Sequence, residues 1–127
     1  MTETKWQTLT HTLLRVFAAG VYMQHGVEKV ISFMHHEPMG PLQGIAMVME
    51  TVFAACIILG LFTHLLAFLC SGEMAVAYFM FHAPRGLLPV VNHGETPSLL
   101  CFIFLYLSAI GAGAFSLDAA LRRKRSG

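Results

Sequence analysis

The chain has 127 residues, of which 56% are hydrophobic and only 12% are charged. Soluble domains are closer to one quarter charged, so this composition favours a membrane protein. Eight Lys and Arg nearly balance seven Asp and Glu, which leaves no basic face for nucleic acid, and we expect no nucleic-acid partner. Because each transmembrane helix needs about 20 residues, the length suits one membrane domain, residues 1–127, with about four spans.

Four apolar segments predict these spans. They lie at approximately residues 11–33, 45–62, 64–82 and 98–113. Proline and glycine interrupt the helical pattern in the connections at 35–44 and 83–97. After the last span, Ser116 is suited to cap a short amphipathic helix that starts at Leu117, with Asp118 favourable in its first turn.

The basic residues predict the orientation of the chain. Half of them form one cluster near the C-terminus: Arg122, Arg123, Lys124 and Arg125. Such clusters are typical of the cytoplasmic side, and an even number of spans places the N-terminus on that side too. Arg15 stands alone near the inner boundary, where its long stem is expected to reach the lipid headgroups. The sequence therefore predicts an all-α, integral membrane four-helix bundle with cytoplasmic N- and C-termini, multi-pass in the lipid bilayer.

Two carboxylates interrupt the apolar second and third spans. Glu50 lies 13 residues before Thr63 and Glu73 lies 10 residues after it. If residues 62–64 form a tight turn, a rise of about 1.5 Å per residue places the acids roughly 20 and 15 Å from that turn. An antiparallel hairpin thus holds both acids at nearly the same depth. A charged residue inside hydrocarbon is rare unless it is paired or functional.

Further polar residues are expected near the two acids. His25 and Tyr106 fall at a similar distance from the outer boundary, roughly 9–14 Å deep. Lys29, Tyr78 and His82 fall closer to that boundary, and Tyr22 shares a helical face with Lys29. This pattern predicts a polar outer half and an apolar inner half, which is typical of a pocket that opens outward.

Structural roles are the alternative for the same residues. A buried Glu can pair with Lys29 or His25 and only stabilise the bundle. Tyr22 and Tyr78 are as well suited to packing as to binding. The sequence has no helical H-x-x-x-H motif and no C-x-x-C pair. We therefore expect no bound metal, and the three cysteines suit packing better than a thiol relay.

Proton-coupled redox at a quinone is the chemistry that best suits this polar layer. A quinone ring needs an apolar slot, hydrogen-bond donors at its carbonyls and groups that deliver protons. The predicted catalytic residues are Glu50, Glu73 and His25, with the acids relaying protons and His25 or Tyr106 donating to the ring. The predicted cofactor-binding residues are Tyr22, Lys29, Tyr78, His82 and Tyr106.

The ordered set of motifs resembles the DoxX family of small four-helix membrane proteins over residues 10–121. The residues that carry the resemblance are Arg15, His25-Gly26, Lys29, Glu50, Gly60, Glu73-Met74, Ala77-Tyr78-Phe79-Met80, His82-Ala83-Pro84, Asn92 to Glu95, and Gly111-x-Gly113-x-x-Ser116-Leu117-Asp118. The resemblance implies a bacterial inner-membrane (plasma-membrane) protein similar in architecture to DsbB-like proteins. The family is named for a subunit associated with thiosulfate:quinone oxidoreduction, so it also implies an oxidoreductase role. The motif positions it carries over are Arg15, His25, Lys29, Glu50, Glu73, Glu95 and Asp118.

Three functions remain open at this point. The first is a quinone-linked oxidoreductase or its membrane subunit, which would need a partner protein to supply electrons, since the chain has no flavin motif or haem-type ligand pair. The second is a non-catalytic membrane anchor or assembly partner for a redox or metal-handling complex. The third is a small-molecule transporter, which an apolar inner half disfavours. A homo-oligomer is compatible with all three.

Overall fold

The computed structural model describes residues 3–126, which form helices and no strand. In chain order these are α1 (Lys5–Met34), α2 (Pro41–Leu59), α3 (Thr63–Arg85), α4 (Pro89–Asn92), α5 (Glu95–Ile110) and α6 (Leu117–Ser126). The predicted all-α class is confirmed for this part of the chain. By length and composition, α2 and α3 are long and apolar enough to cross a membrane, whereas α5 is apolar but shorter.

The helices begin and end at different residues from the predicted spans, because apolar character and helical conformation do not end together. The first helix begins at Lys5, since Thr4 and Gln7 form a reciprocal capping box ahead of the apolar run. Pro41 occupies the first position of α2, where its missing N–H costs nothing. Similarly, Pro97 lies in the first turn of α5, which starts at Glu95 instead of residue 98.

The four longer helices pack as two close pairs, α1 with α2 and α3 with α5, and the pairs contact each other less extensively. Small and apolar side chains fill the core, and the phenol ring of Tyr22 packs edge-on against Phe104 with ring centroids 5.0 Å apart. The buried core contains Ala18, Ala19 and Tyr22 of α1, Ala54 and Ile57 of α2, Ala67 and Cys70 of α3, and Leu100, Phe104 and Leu107 of α5.

Arg15 is buried at the end of the bundle where α2 turns into α3. Only 2% of the residue is exposed, and its guanidinium donates to the carbonyls of Ala112, Ile58 (3.2 Å) and Phe115 (3.0 Å). The predicted contact of Arg15 with lipid headgroups is therefore wrong. The carbonyls near helix ends lack helical partners, and the planar guanidinium fork satisfies three of them at once.

His11 adds a second buried polar side chain to this end, which we call the turn end. The His11 Nε2 atom lies 2.9 Å from the carbonyl oxygen of Gly111. Gly113 faces the same imidazole so closely that a side chain there would meet it. The half of the bundle at the turn end, which was predicted to be apolar, thus contains two buried polar side chains, and that prediction is wrong.

The first turn of α6 also caps the start of α3. The Asp118 carboxylate accepts hydrogen bonds from the backbone N–H groups of Phe62 (2.9 Å) and Thr63 (3.1 Å). Ser116 Oγ accepts from the Ala119 N–H at 3.1 Å, so the predicted cap of the last helix is confirmed. Asp118 lies in the first turn of α6, as predicted, and it also joins this helix to the start of α3, since Thr63 is 55 residues away in the sequence.

Candidate functional site

A cavity of about 560 Å³ lies between the two helix pairs, away from the turn end. Its walls are mostly apolar side chains of α2 and α3, including Ile45, Met49, Leu69, Val76 and Met80. A cluster of polar side chains gathers on its lining: His25, Lys29, Glu50, Glu73 and His82. The site is therefore an apolar chamber with titratable groups on part of its wall.

The Lys29 ammonium on α1 donates to Glu50 Oε2 on α2 at 2.7 Å. The Glu50 side chain is 4% exposed and that of Lys29 is 30% exposed. A charge-assisted bond of this length neutralises a carboxylate that would otherwise be costly to bury. Lys29 lines the cavity and has further N–H donors from which a carbonyl oxygen can accept.

Glu73 faces the same cavity from α3. The hydroxyl of Tyr22, which is fully buried, donates weakly to Glu73 Oε2 at 3.5 Å. The two acid side chains lie close enough to interact, so the spacing about the turn did bring Glu50 and Glu73 together. Within residues 3–126, the only cation in salt-bridge contact with either acid is Lys29, and it contacts Glu50. Glu73 thus has no cation as a salt-bridge partner among the described residues.

Two wide π-helical turns shape the cavity, one in each apolar helix. The turn at Met49–Phe53 carries Glu50, and the turn at Tyr78–His82 ends at His82. Such turns interrupt the regular helix and are frequent at functional sites. Gly26 of α1 lies directly against the Glu50 backbone, since a Cβ there would approach the Glu50 carbonyl to 2.6 Å. This close approach brings Lys29 within reach of the acid.

The two histidines differ in how they are held. The His82 Nδ1 atom lies 3.1 Å from the carbonyl oxygen of Asn92, and its ring stacks on Tyr78 with centroids 6.4 Å apart. His25 lines the cavity from α1 and makes no hydrogen bond with the described residues. His82 is therefore positioned by its neighbours, and His25 has both ring nitrogens available to a ligand or water.

Two tyrosines predicted to bind a cofactor lie elsewhere. The Tyr78 hydroxyl accepts from Asn92 Nδ2 at 3.1 Å, so it anchors the connection between α3 and α5. Tyr106 is 56% exposed and is not part of the cavity lining. A count of residues from the end of the span placed Tyr106 at the depth of the two acids. Its position around α5, however, directs the side chain to the outer surface of the bundle. The structure thus does not bring Tyr106 to the other candidate residues.

Several lining residues were not identified from the sequence. Gln43 and Thr96 line the cavity with polar side chains at the start of α2 and α5. The sequence analysis assigned both residues to loops. They reach the cavity because α2 and α5 start earlier in the chain than predicted. No cluster of three or more His, Cys, Asp or Glu suited to a metal occurs within residues 3–126.

The fold and the site together define an all-helical protein that has two apolar helices and a cluster of polar side chains in an apolar cavity. The chain belongs to the DoxX family, whose model matches residues 10–83. This match covers most of α1, all of α2 and most of α3, and hence all five polar lining residues of the cluster. The chain is also 37% identical, over 129 aligned positions, to an uncharacterized protein of Haemophilus influenzae, with 94% of this chain and 96% of that protein covered. No solved structure matches the chain.

Proposed function

We propose that the protein is a multi-pass protein of the bacterial inner membrane, with four spans and cytoplasmic termini. At about 1.5 Å per residue, the 19 residues of α2 measure about 28 Å, close to the thickness of the hydrocarbon core. Large apolar side chains cover the outer surface, among them Phe17, Phe68 and Phe102. A surface of this kind is stable in lipid and exceptional in water.

We further propose that the cavity binds a quinone and that the protein serves a quinone-linked oxidoreductase, as its membrane subunit. The single observation that carries this proposal is the combination of apolar walls with Lys29, Glu50 and Glu73 on one cavity. The residues fit the group: the walls suit a ring, the Lys29 ammonium suits a carbonyl oxygen, and the acids suit proton exchange. When bound, a quinone accepts two electrons and two protons and becomes a quinol.

The side chains then have distinct roles. Lys29 donates a hydrogen bond to one ring oxygen while Glu50 holds its ammonium in place. Glu73 holds a proton and delivers it to a ring oxygen, with Tyr22 fixing the orientation of the carboxyl. His25 and His82 exchange protons between Glu73 and water at the mouth. The electrons come from a partner protein that carries its own redox cofactor, because residues 3–126 contain no evident site for a flavin, haem or metal centre.

The test is the affinity of a short-chain benzoquinone for the purified protein, measured by isothermal titration calorimetry. Loss of a hydrogen bond to a charged group is worth about 1.5–3 kcal/mol, so Lys29→Met should weaken binding at least about tenfold. The double variant Glu50→Gln, Glu73→Gln should weaken it further. Glu28→Gln is the matched control, since Glu28 is exposed on the same helix. Equal affinity in all four proteins would contradict the proposal.

A second function, a non-catalytic anchor or assembly partner, is favoured by one observation. The Lys29–Glu50 ion pair joins α1 to α2 and can act purely as a structural contact. This alternative predicts that the Glu→Gln changes alter thermal stability without any effect on quinone binding. The calorimetric titration and a melting curve on the same samples distinguish the two functions.

A further inference from the structure

We propose that the cavity takes an amphiphilic quinone whose aliphatic tail leaves sideways, along a groove on α2 and α3, into the bilayer. This inference rests on the proposed function and adds the direction of the tail. The groove is a second depression of about 560 Å³ on the outer surface of these helices. It is lined by Pro41, Gly44, Ile45, Val48, Met49, Phe53 and Leu69.

The groove and the cavity are continuous. Ile45, Met49 and Leu69 line both of them. The polar groups all lie on the cavity side of these three residues, and every side chain of the groove is apolar. A ligand that spans both depressions therefore has a polar head and an apolar chain.

The position of the groove indicates the medium that the tail enters. All of its residues belong to α2 and α3, the two helices long and apolar enough to cross a bilayer. Val48 is 47% exposed and Ile45 is 58% exposed, so the groove is open along its length. The first turns of α2 pack mainly on α1, and the groove lies on the side of α2 that faces Leu69 of α3. Entry from the lipid requires no passage through water.

Photolabelling gives a direct test. The probe is a benzoquinone with a diazirine in its aliphatic tail, added to the protein in lipid nanodiscs, with labelled residues mapped by mass spectrometry. We expect labels on Val48, Phe53 and Leu69 that excess tail-free benzoquinone displaces. Displaceable labels on the opposite surface, such as Leu99 or Phe102 of α5, would overturn the inference.

Gly44 provides a matched pair of variants. A Cβ added at Gly44 meets nothing within 4 Å, and neither does one at Gly20, which lines neither depression. Gly44→Phe should fill the groove and reduce labelling of Val48 and Phe53 several-fold, while the affinity for tail-free benzoquinone stays unchanged. Gly20→Phe should change neither measurement. Equal labelling in both variants would contradict the lateral groove.

The same data separate the two proposals. If tail-free benzoquinone binds but the tail labels other surfaces, the tail direction is wrong and the quinone site stands. If the wild-type protein binds no benzoquinone in the titration and shows no displaceable label, the proposed function itself is wrong. Labels on the groove that no quinone displaces would assign it to a lipid acyl chain and overturn the inference.

Discussion

Lys29 and Glu50 form a 2.7 Å ion pair that joins α1 to α2 at the wall of the cavity. Lys29 is the only described residue that contacts the Glu50 carboxylate through a salt bridge. The pair therefore joins the two helices, and under the proposed function it also holds the ammonium where a ligand oxygen can accept from it.

Removal of Lys29 should leave a buried acid without its partner. We expect Lys29→Met to lower the free energy of unfolding by about 1–3 kcal/mol, the usual effect of an unsatisfied buried group. The double variant Lys29→Met, Glu50→Gln should lose less than the sum of the single variants, because neither side chain then needs the other. Thermal unfolding in detergent, followed by circular dichroism, measures both. If the stability losses of the two single variants add up to the loss in the double variant, the ion pair contributes nothing to stability.

Replacement of Arg15 by lysine tests the buried network at the turn end. A lysine ammonium cannot reach the three carbonyls that the guanidinium contacts, so Arg15→Lys should destabilise the protein by about 2 kcal/mol. Arg122→Lys, on the exposed face of α6, is the control and should have no effect. If Arg15→Lys melts at the wild-type temperature, Arg15 acts only as a charge.

The contact between Gly26 and the Glu50 backbone leaves no room for a methyl group. We expect Gly26→Ala to force α1 and α2 apart and to cost about 1–3 kcal/mol, as overpacking usually does. Gly20→Ala has open space and should be neutral or slightly stabilising, by up to about 1 kcal/mol, through its higher helix propensity. The melting temperatures of the two variants should therefore shift in opposite directions, or the size of the shift should differ clearly between them. Identical curves would show that this approach does not limit the packing.

Asp118 should stabilise the turn between α2 and α3 from a distance. Loss of a helix-capping carboxylate costs about 0.5–2 kcal/mol, so Asp118→Ala should lower the melting temperature. It should also speed proteolysis within residues 111–126, since these residues are fixed partly through that carboxylate. Asp118→Asn keeps one acceptor oxygen and should show a smaller change. Unaltered proteolysis in Asp118→Ala would contradict the cap.

The sequence predicted those features that depend on periodicity and on symmetry about a turn. Glu50 and Glu73 could be placed together because they lie at similar distances from residues 62–64. Lys29 and Tyr22 could be placed near the two acids because they share one face of α1, and this face was expected to be buried. The DoxX resemblance, drawn from the order of the motifs, is confirmed by the family match over residues 10–83.

Other features depend on contacts that no local pattern records. Arg15 binds backbone carbonyls 43 to 100 residues away, and any residue type supplies a carbonyl. Tyr106 was misplaced because a count of residues gives depth but not direction around the helix. The π-helical turns at Met49–Phe53 and Tyr78–His82 shift the helical register without a sequence signal that we recognised.

Quinone binding in the cavity is tested most directly by mass spectrometry of an organic extract of the protein purified in mild detergent. We expect a near-stoichiometric quinone in the wild-type extract and its loss in Glu73→Gln, with Glu28→Gln retaining it. A wild-type extract without quinone, or one whose quinone content is the same in Glu73→Gln, would contradict the assignment of the cavity.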